Sequence, residues 1–219
     1  MSRPAKKAAA SPRRRPAPYH HGDLRRVLID AALQLAVEGG PDAVTVREAA
    51  RRAGVSPGAP FRHFESRDAL MLAVAEEAQR RFRTEIAAAL ADAPQGAPLQ
   101  RLKRLGLAYL RWAARNPAHF EIISTGRAFD HDRAADLSRD NAEMIAMTEQ
   151  LLAEAAAKGQ LRPGVDLKTA QITGRALVYG LARMNLDRHF PRWGVRPEAV
   201  ERMAEQAFDL FLDGLVAPA

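Results

Sequence analysis

The chain of 219 residues contains no cysteine, which excludes disulfide frameworks, thiolate nucleophiles and cysteine-ligated zinc, and leaves no sign of an oxidising compartment. Long apolar runs are missing too. The basic first residues are not followed by the apolar segment of about 7–15 residues that a secretory signal carries, and no stretch approaches the roughly 18 apolar residues of a membrane-spanning helix. The chain reads as soluble and cytoplasmic, with no membrane partner. No phosphate-cradling glycine loop, no His-Glu-x-x-His and no nucleophile motif is present. His119, His131, Asp132, Asp136 and Glu143 are the groups from which an acid–base or metal set could be assembled, but they lack ligand spacing. An enzyme is therefore a poor reading, and no cofactor or metal is implied.

What is present is an ordinary globular balance, 47% hydrophobic and 27% charged, with apolar material enough for a core. The formal charge is +7 and the pI near 10.3. Its location matters more than its size. Residues 1–22 hold Arg3, Lys6, Lys7, Arg13, Arg14 and Arg15 and no acid, whereas the other 197 residues hold 27 bases against 26 acids. The excess belongs to a Pro- and Ala-rich arm over residues 1–18, too poor in large apolar residues to pack. It is either a solubilising terminus or a basic arm that follows phosphates or a minor groove beside a folded reader.

Apolar positions recur at the three-and-four spacing of amphipathic helices, and no stretch alternates as strands do. The first helix runs from Leu24 to Gly39-Gly40-Pro41. Thr45-Val46-Arg47-Glu48 is a capping box that opens a short second helix ending at Gly54. Ser56 is a fresh N-cap, with Pro57 at a first helical position, for a third short helix reaching about Phe64. Ser66 then caps a long fourth helix with a stripe through Leu70, Val74, Phe82 and Ile86. Helices follow over 99–115, around Phe120–Ile123, over 132–158, from an Asp166 cap, and over about 200–215. The expectation is an all-α fold of about nine helices. It divides into the arm, a helix-turn-helix domain over 19–66 and a helical domain over 67–219.

A short helix, a turn holding Gly54 and a second short helix with basic and aromatic residues make a helix-turn-helix, whose second helix can enter a major groove. The segment TVREAARRAGVSPGAPFRHFESRDAL resembles the N-terminal signature of TetR-family transcriptional regulators, with the order of its elements matching over about residues 20–75. The lead-in Tyr19-His20-His21-Gly22-Asp23-Leu24-Arg25 is similar to a subgroup that carries Trp-x-x-x-His-Gly in its C-terminal domain. Here that place reads Arg175-Ala176-Leu177-Val178-Tyr179-Gly180.

The resemblance implies a sequence-specific regulator, a ligand-responsive repressor working as a homodimer on a palindromic double-stranded operator and associated with the nucleoid. A nonspecific architectural DNA binder is the alternative. Thr45 and Ser56, at helix N-termini, are placed to meet phosphates, as the resemblance also implies for His63 and Arg67. Phe61 stands where the family has a tyrosine, so the phosphate-bonding hydroxyl is absent. Base reading falls to Arg47 and Arg51 from the second helix and to Pro57, Ala59 and Arg62 from the third, with Arg62 first and Arg47 second. Phe64 is a core residue. The family's small-molecule pocket places Trp112, Phe120, Ile123, Phe129, Met144, Met147 and Tyr179 as walls for an unknown effector. Wide apolar stripes on the last two helices mark Leu177, Leu181, Met184, Phe208, Phe211 and Leu215 as a dimer interface, and one short helix reads too few base pairs to act alone.

Overall fold

The computed structural model describes residues 21–91, 93–125 and 134–217. The basic arm, Phe129, His131 and Asp132 lie outside the described residues. The α-helices are α1 His21–Gly39, α2 Val46–Arg52, α3 Arg67–Ala91, α4 Pro98–Arg115, α5 Pro117–Thr125, α6 Ala135–Ala157, α7 Leu167–Leu186 and α8 Val200–Asp213. Short 3₁₀ turns occupy Pro41–Ala43, Ala59–Arg62, Phe190–Trp193 and Pro197–Ala199. The fold is all-α. Among the described residues the sole β contact is an isolated antiparallel bridge between Leu161 and Val216.

Local chemistry fixes the helix ends. Ser66 Oγ accepts from the Ala69 amide at 3.1 Å and opens α3, and Asp166 Oδ1 accepts from the Thr169 amide at 2.7 Å and opens α7. The end of α2 is a Schellman motif: Val55 N donates to Ala50 O at 3.1 Å and Gly54 N to Arg51 O at 3.2 Å. Gly54 sits at φ 69°, the left-handed region that a side chain would strain.

Among the described residues eight α-helices form where about nine are expected, because the third short helix is reduced to the 3₁₀ turn Ala59–Arg62. Pro60 has no N–H, so the first i→i−4 bond from residue 60 back to Ser56 O cannot be made. Ala59 N takes that acceptor at 3.0 Å with the tighter i→i−3 spacing. Ser56 consequently contributes its carbonyl and makes no side-chain cap; the residue flanking the turn is Gly58.

Two cores are built, and α3 belongs to both. Leu28, Val44, Val46, Ala49 and Phe64 close on Leu70, Met71 and Val74 in the first half of α3. Phe82 and Ile86 in its second half pack with Leu105, Tyr109 and Trp112 of α4, Leu152 of α6 and Phe208 of α8. At 25 residues the helix is about 37 Å long. Helix α5 is divided in the same way, with Ile122 in the first core and Phe120 in the second. Ion pairs brace the body between helices: Arg83 of α3 with Asp140 and Glu143 of α6, Arg115 of α4 with Glu85 of α3, and Lys103 of α4 with Asp209 of α8.

Candidate functional site

Helix α2 starts on Thr45, whose Oγ1 accepts from the Glu48 amide at 3.1 Å. The return bond of the expected capping box is replaced: the Glu48 carboxylate accepts from Arg51, 2.9 Å from Nε and 2.5 Å from Nη2. Arg51 thereby holds the Glu48 carboxyl below the ordinary carboxylate range through this hydrogen bond. An exposed pair within one helix is weak and solvent-screened, so it biases Arg51 without locking it. Arg52 forms a bidentate pair with Glu38 of α1, which braces α2 against α1. Arg25 stands over the Phe64 ring at 5.4 Å.

Arg67 is tied to the domain itself. Its Nε donates to Val44 O at 2.8 Å and its Nη2 to Pro41 O at 2.9 Å, tying the start of α3 to the turn before α2. A guanidinium held by two backbone carbonyls braces the domain. Arg47 and Arg62, by contrast, are exposed and make no ion pair or hydrogen bond among the described residues. Around Arg62 the turn exposes Ser56, Pro57 and Phe61, the last at 52%, while Ala59 is half-buried and Pro60 buried. His63 is half-buried at the end of the turn, its amide donating to Pro60 O at 2.8 Å. Free guanidinium edges beside an exposed apolar ring are suited to a groove that offers guanine O6 and N7, phosphates and thymine methyls.

Behind the reader the body encloses a cavity of about 620 Å³, within the range of small-molecule sites. Gln79, Phe82 and Ile86 of α3 form one wall, and α4, α5, α6, α7 and α8 supply the rest. Of the walls expected from sequence, Ile123 and Met144 line it. Trp112 and Phe120 do not; both are fully buried in the core, where Trp112 packs at 4.8 Å from Phe82. Met147 and Tyr179 also pack against that core without lining the cavity. The sequence reading sought aromatic and Met walls and passed over the polar ones: Ser124, Thr148, Lys168, Gln171 and Arg175. A charged Arg175 among Ala170, Gly174 and Val178 on α7 was the signal available for it. Burial pushes the Tyr109 hydroxyl up, against the charge and hydrogen bond of Arg175.

Two family models match: the one described as bacterial regulatory proteins of the tetR family over residues 28–74, and the one described as the tetracyclin repressor-like C-terminal domain over residues 102–211. The chain belongs to the TetR family. It is a DNA-binding transcriptional regulator and not an enzyme. A TetR-family structure, a bacterial regulatory protein from Rhodococcus RHA1, superposes with TM-score 0.70 at 21% identity, covering 90% of this chain and 98% of that one. A protein of unknown function from Rhodococcus sp. RHA1 superposes with TM-score 0.77 at 28% identity, over 91% and 99%. Among curated proteins, the HTH-type transcriptional regulator BetI of Escherichia coli O139:H28 is 36% identical over 81 residues, 37% of this chain. The chain spans 42% of the length of that relative.

In this TetR-family chain the expected interface residues split into two groups. Phe208, Leu181 and Leu215 are already buried by their own chain, at 2%, 9% and 8% exposure, so they retain almost no surface for a partner. Leu177, Met184 and Phe211 are half-buried, and an added Cβ at Gly174 would lie 3.1 Å from the Phe211 ring of the same chain. The open apolar surface of α8 is Leu210, 75% exposed. On α7, Gly180 has nothing within 4 Å of where its Cβ would stand. The described acid–base candidates do not converge: Glu143 pairs with Arg83, Asp136 with Arg139, and His119 is buried beside Trp112 with neither ring nitrogen bonded. Among the described residues no group of three His, Asp or Glu could hold a metal, and no helix is long and apolar enough to cross a membrane.

Proposed function

We propose that the protein is a ligand-responsive repressor that acts as a homodimer on a palindromic operator, with the cavity as its effector site. The observation that carries this reading is the continuity of α3, whose first half seats Phe64 and the reader while its second half walls the cavity through Gln79, Phe82 and Ile86. A molecule that displaces the second half tilts the first, which gives the two sites a coupling free energy. Within the reader, Arg62 and Arg47 read bases, Arg51 assists once its pair with Glu48 opens, and Thr45, Ser56 and His63 meet the backbone. Pro57, Ala59 and Phe61 supply the apolar face of the turn. The reading element is one 3₁₀ turn, too short to specify an operator, so two copies are needed. The face around Leu210 and Gly180 supports a dimer in which α7 and α8 of both copies pack together.

Selection of bound duplexes from a random pool tests the reading. The expected result is an inverted repeat with a preference of at least ~10³ over random DNA at physiological salt. A consensus without two-fold symmetry would contradict the dimer. Enrichment of no sequence would favour the architectural alternative.

A further inference from the structure

The charge of the cavity points to what it holds. Among its described lining residues there is no Asp or Glu, although the chain carries 26 of them, while Lys168 and Arg175 both line it. Lys168 is neutralised by Glu149 at 2.9 Å and donates to Gln171 at 3.1 Å. Gln171 in turn donates to Ile145 O at 2.8 Å and to Thr148 Oγ1 at 2.7 Å, so that end of the wall is internally satisfied. Arg175 has no carboxylate partner among the described residues. Its guanidinium lies 5.0 Å from the centroid of the Tyr109 ring and 5.9 Å from that of Tyr179.

A guanidinium held against two rings and bonded to one tyrosine hydroxyl keeps further N–H groups available, and arginine can grip a planar anion through two of them. Arg175 is exposed, at the side of a cavity whose walls beyond it, Phe82, Ile86, Leu105 and Val178, are apolar. One further polar atom is without a partner: Ser124 Oγ, buried and unbonded in a residue that also lines the cavity. A cation with no carboxylate partner and an unsatisfied hydroxyl, in a cavity whose walls are mostly apolar, are complementary to one kind of molecule.

We infer that the effector is an amphipathic anion, an apolar body carrying one carboxylate or phosphate group that Arg175 holds, with Tyr109 and Tyr179 positioning the guanidinium. This rests on the reading of the cavity as the effector site. A cationic or zwitterionic effector would set its positive charge against Arg175 with no acid to receive it. A neutral one would leave the arginine unpaired.

The test titrates the full chain by calorimetry with four ten-carbon probes: decanoate, decyl phosphate, decanol and decyltrimethylammonium. Decanoate and decyl phosphate should bind at least ~10-fold tighter than decanol, the strength expected of a charge-assisted hydrogen bond, and the ammonium should bind weakest. Arg175→Gln, with an unchanged melting temperature as the check on folding, should erase the preference and leave the decanol affinity as it was. Equal binding of decanol and decanoate, or a preference that survives in Arg175→Gln, would overturn the anionic assignment while leaving the cavity as an effector site. Binding of none of the four would overturn both.

Discussion

The reader and the body handle their cations in opposite ways. Of the seven arginines between Asp23 and Leu70, five are engaged within the protein: Arg25 on the Phe64 ring, Arg26, Arg51 with Glu48, Arg52 with Glu38 and Arg67 on two carbonyls. Arg47 and Arg62 are left over, and both point the question outward, to a partner that supplies negative charge. In the cavity the cation with no carboxylate partner among the described residues is Arg175, held by Tyr109 and Tyr179, and the question it raises is inward. Net charge tells neither story, since residues 23–70 hold seven bases and seven acids. Within the reader pairing is the informative quantity: Arg52 and Arg67 brace its elements, whereas Arg47 and Arg62 keep their donors for a partner.

The largest expected effect lies at the dimer. Leu210→Asp puts a charge on the open face of α8 in both copies, with little disturbance of a side chain that is 75% exposed. The chain should run as a monomer by light scattering and fall to nonspecific DNA affinity, a loss of ~10³ or more. A dimer that keeps its operator would place the interface elsewhere.

Backbone geometry should weigh on the reader more gently. Gly54→Ala forces a side chain into φ 69° at the turn, costing about 1–2 kcal/mol and lowering the melting temperature by roughly 2–4 °C per kcal/mol. Gly58→Ala, at φ −87° with open space around its Cβ, should leave the melting temperature unchanged. Equal effects would mean that the Schellman turn does not hold the two short elements in place.

The smallest expected effect lies at the joint between the regions. His119 is 8% exposed and makes no hydrogen bond, and burial, assisted by the charge of Arg81, lowers its pKa below 6.5 against the pull of Glu77. The unfolded chain therefore takes up this proton first as pH falls. Stability due to the neutral ring is complete above about pH 6.5 and declines below it. His119→Phe should flatten the fall in melting temperature between pH 7.5 and 5.5; an unchanged slope would assign the pH dependence to other groups.

Much of this was legible in the sequence wherever local chemistry decides structure. The Thr45, Ser66 and Asp166 caps, the Gly54 turn and the core position of Phe64 depend on residues a few places apart or on a strong apolar period, and they form as read. The third helix was misjudged for a local reason too: the missing N–H of Pro60 leaves a 3₁₀ turn. Long-range facts were out of reach. A stripe through Phe208 and Leu215 says that a face is covered but not by which chain, and α4 of the same chain covers Phe208. Arg67 lies at a position the family resemblance gives to DNA, yet the carbonyls of Pro41 and Val44, 26 and 23 residues away, reach it first. Arg175 stood in the segment that departs from the expected Trp-x-x-x-His-Gly, where only packing could show that it enters a cavity.

The most direct test of the claim that unpaired arginines mark function compares Arg62→Ala with Arg67→Ala by operator affinity and melting temperature together. Loss of a bidentate base contact is worth about 1–3 kcal/mol, so Arg62→Ala should weaken operator binding by roughly 5- to 150-fold with random DNA and the melting temperature little changed. Arg67→Ala should instead lower the melting temperature by freeing the carbonyls of Pro41 and Val44. The account fails if Arg62→Ala binds the operator as the wild type does, or if Arg67→Ala melts as the wild type does.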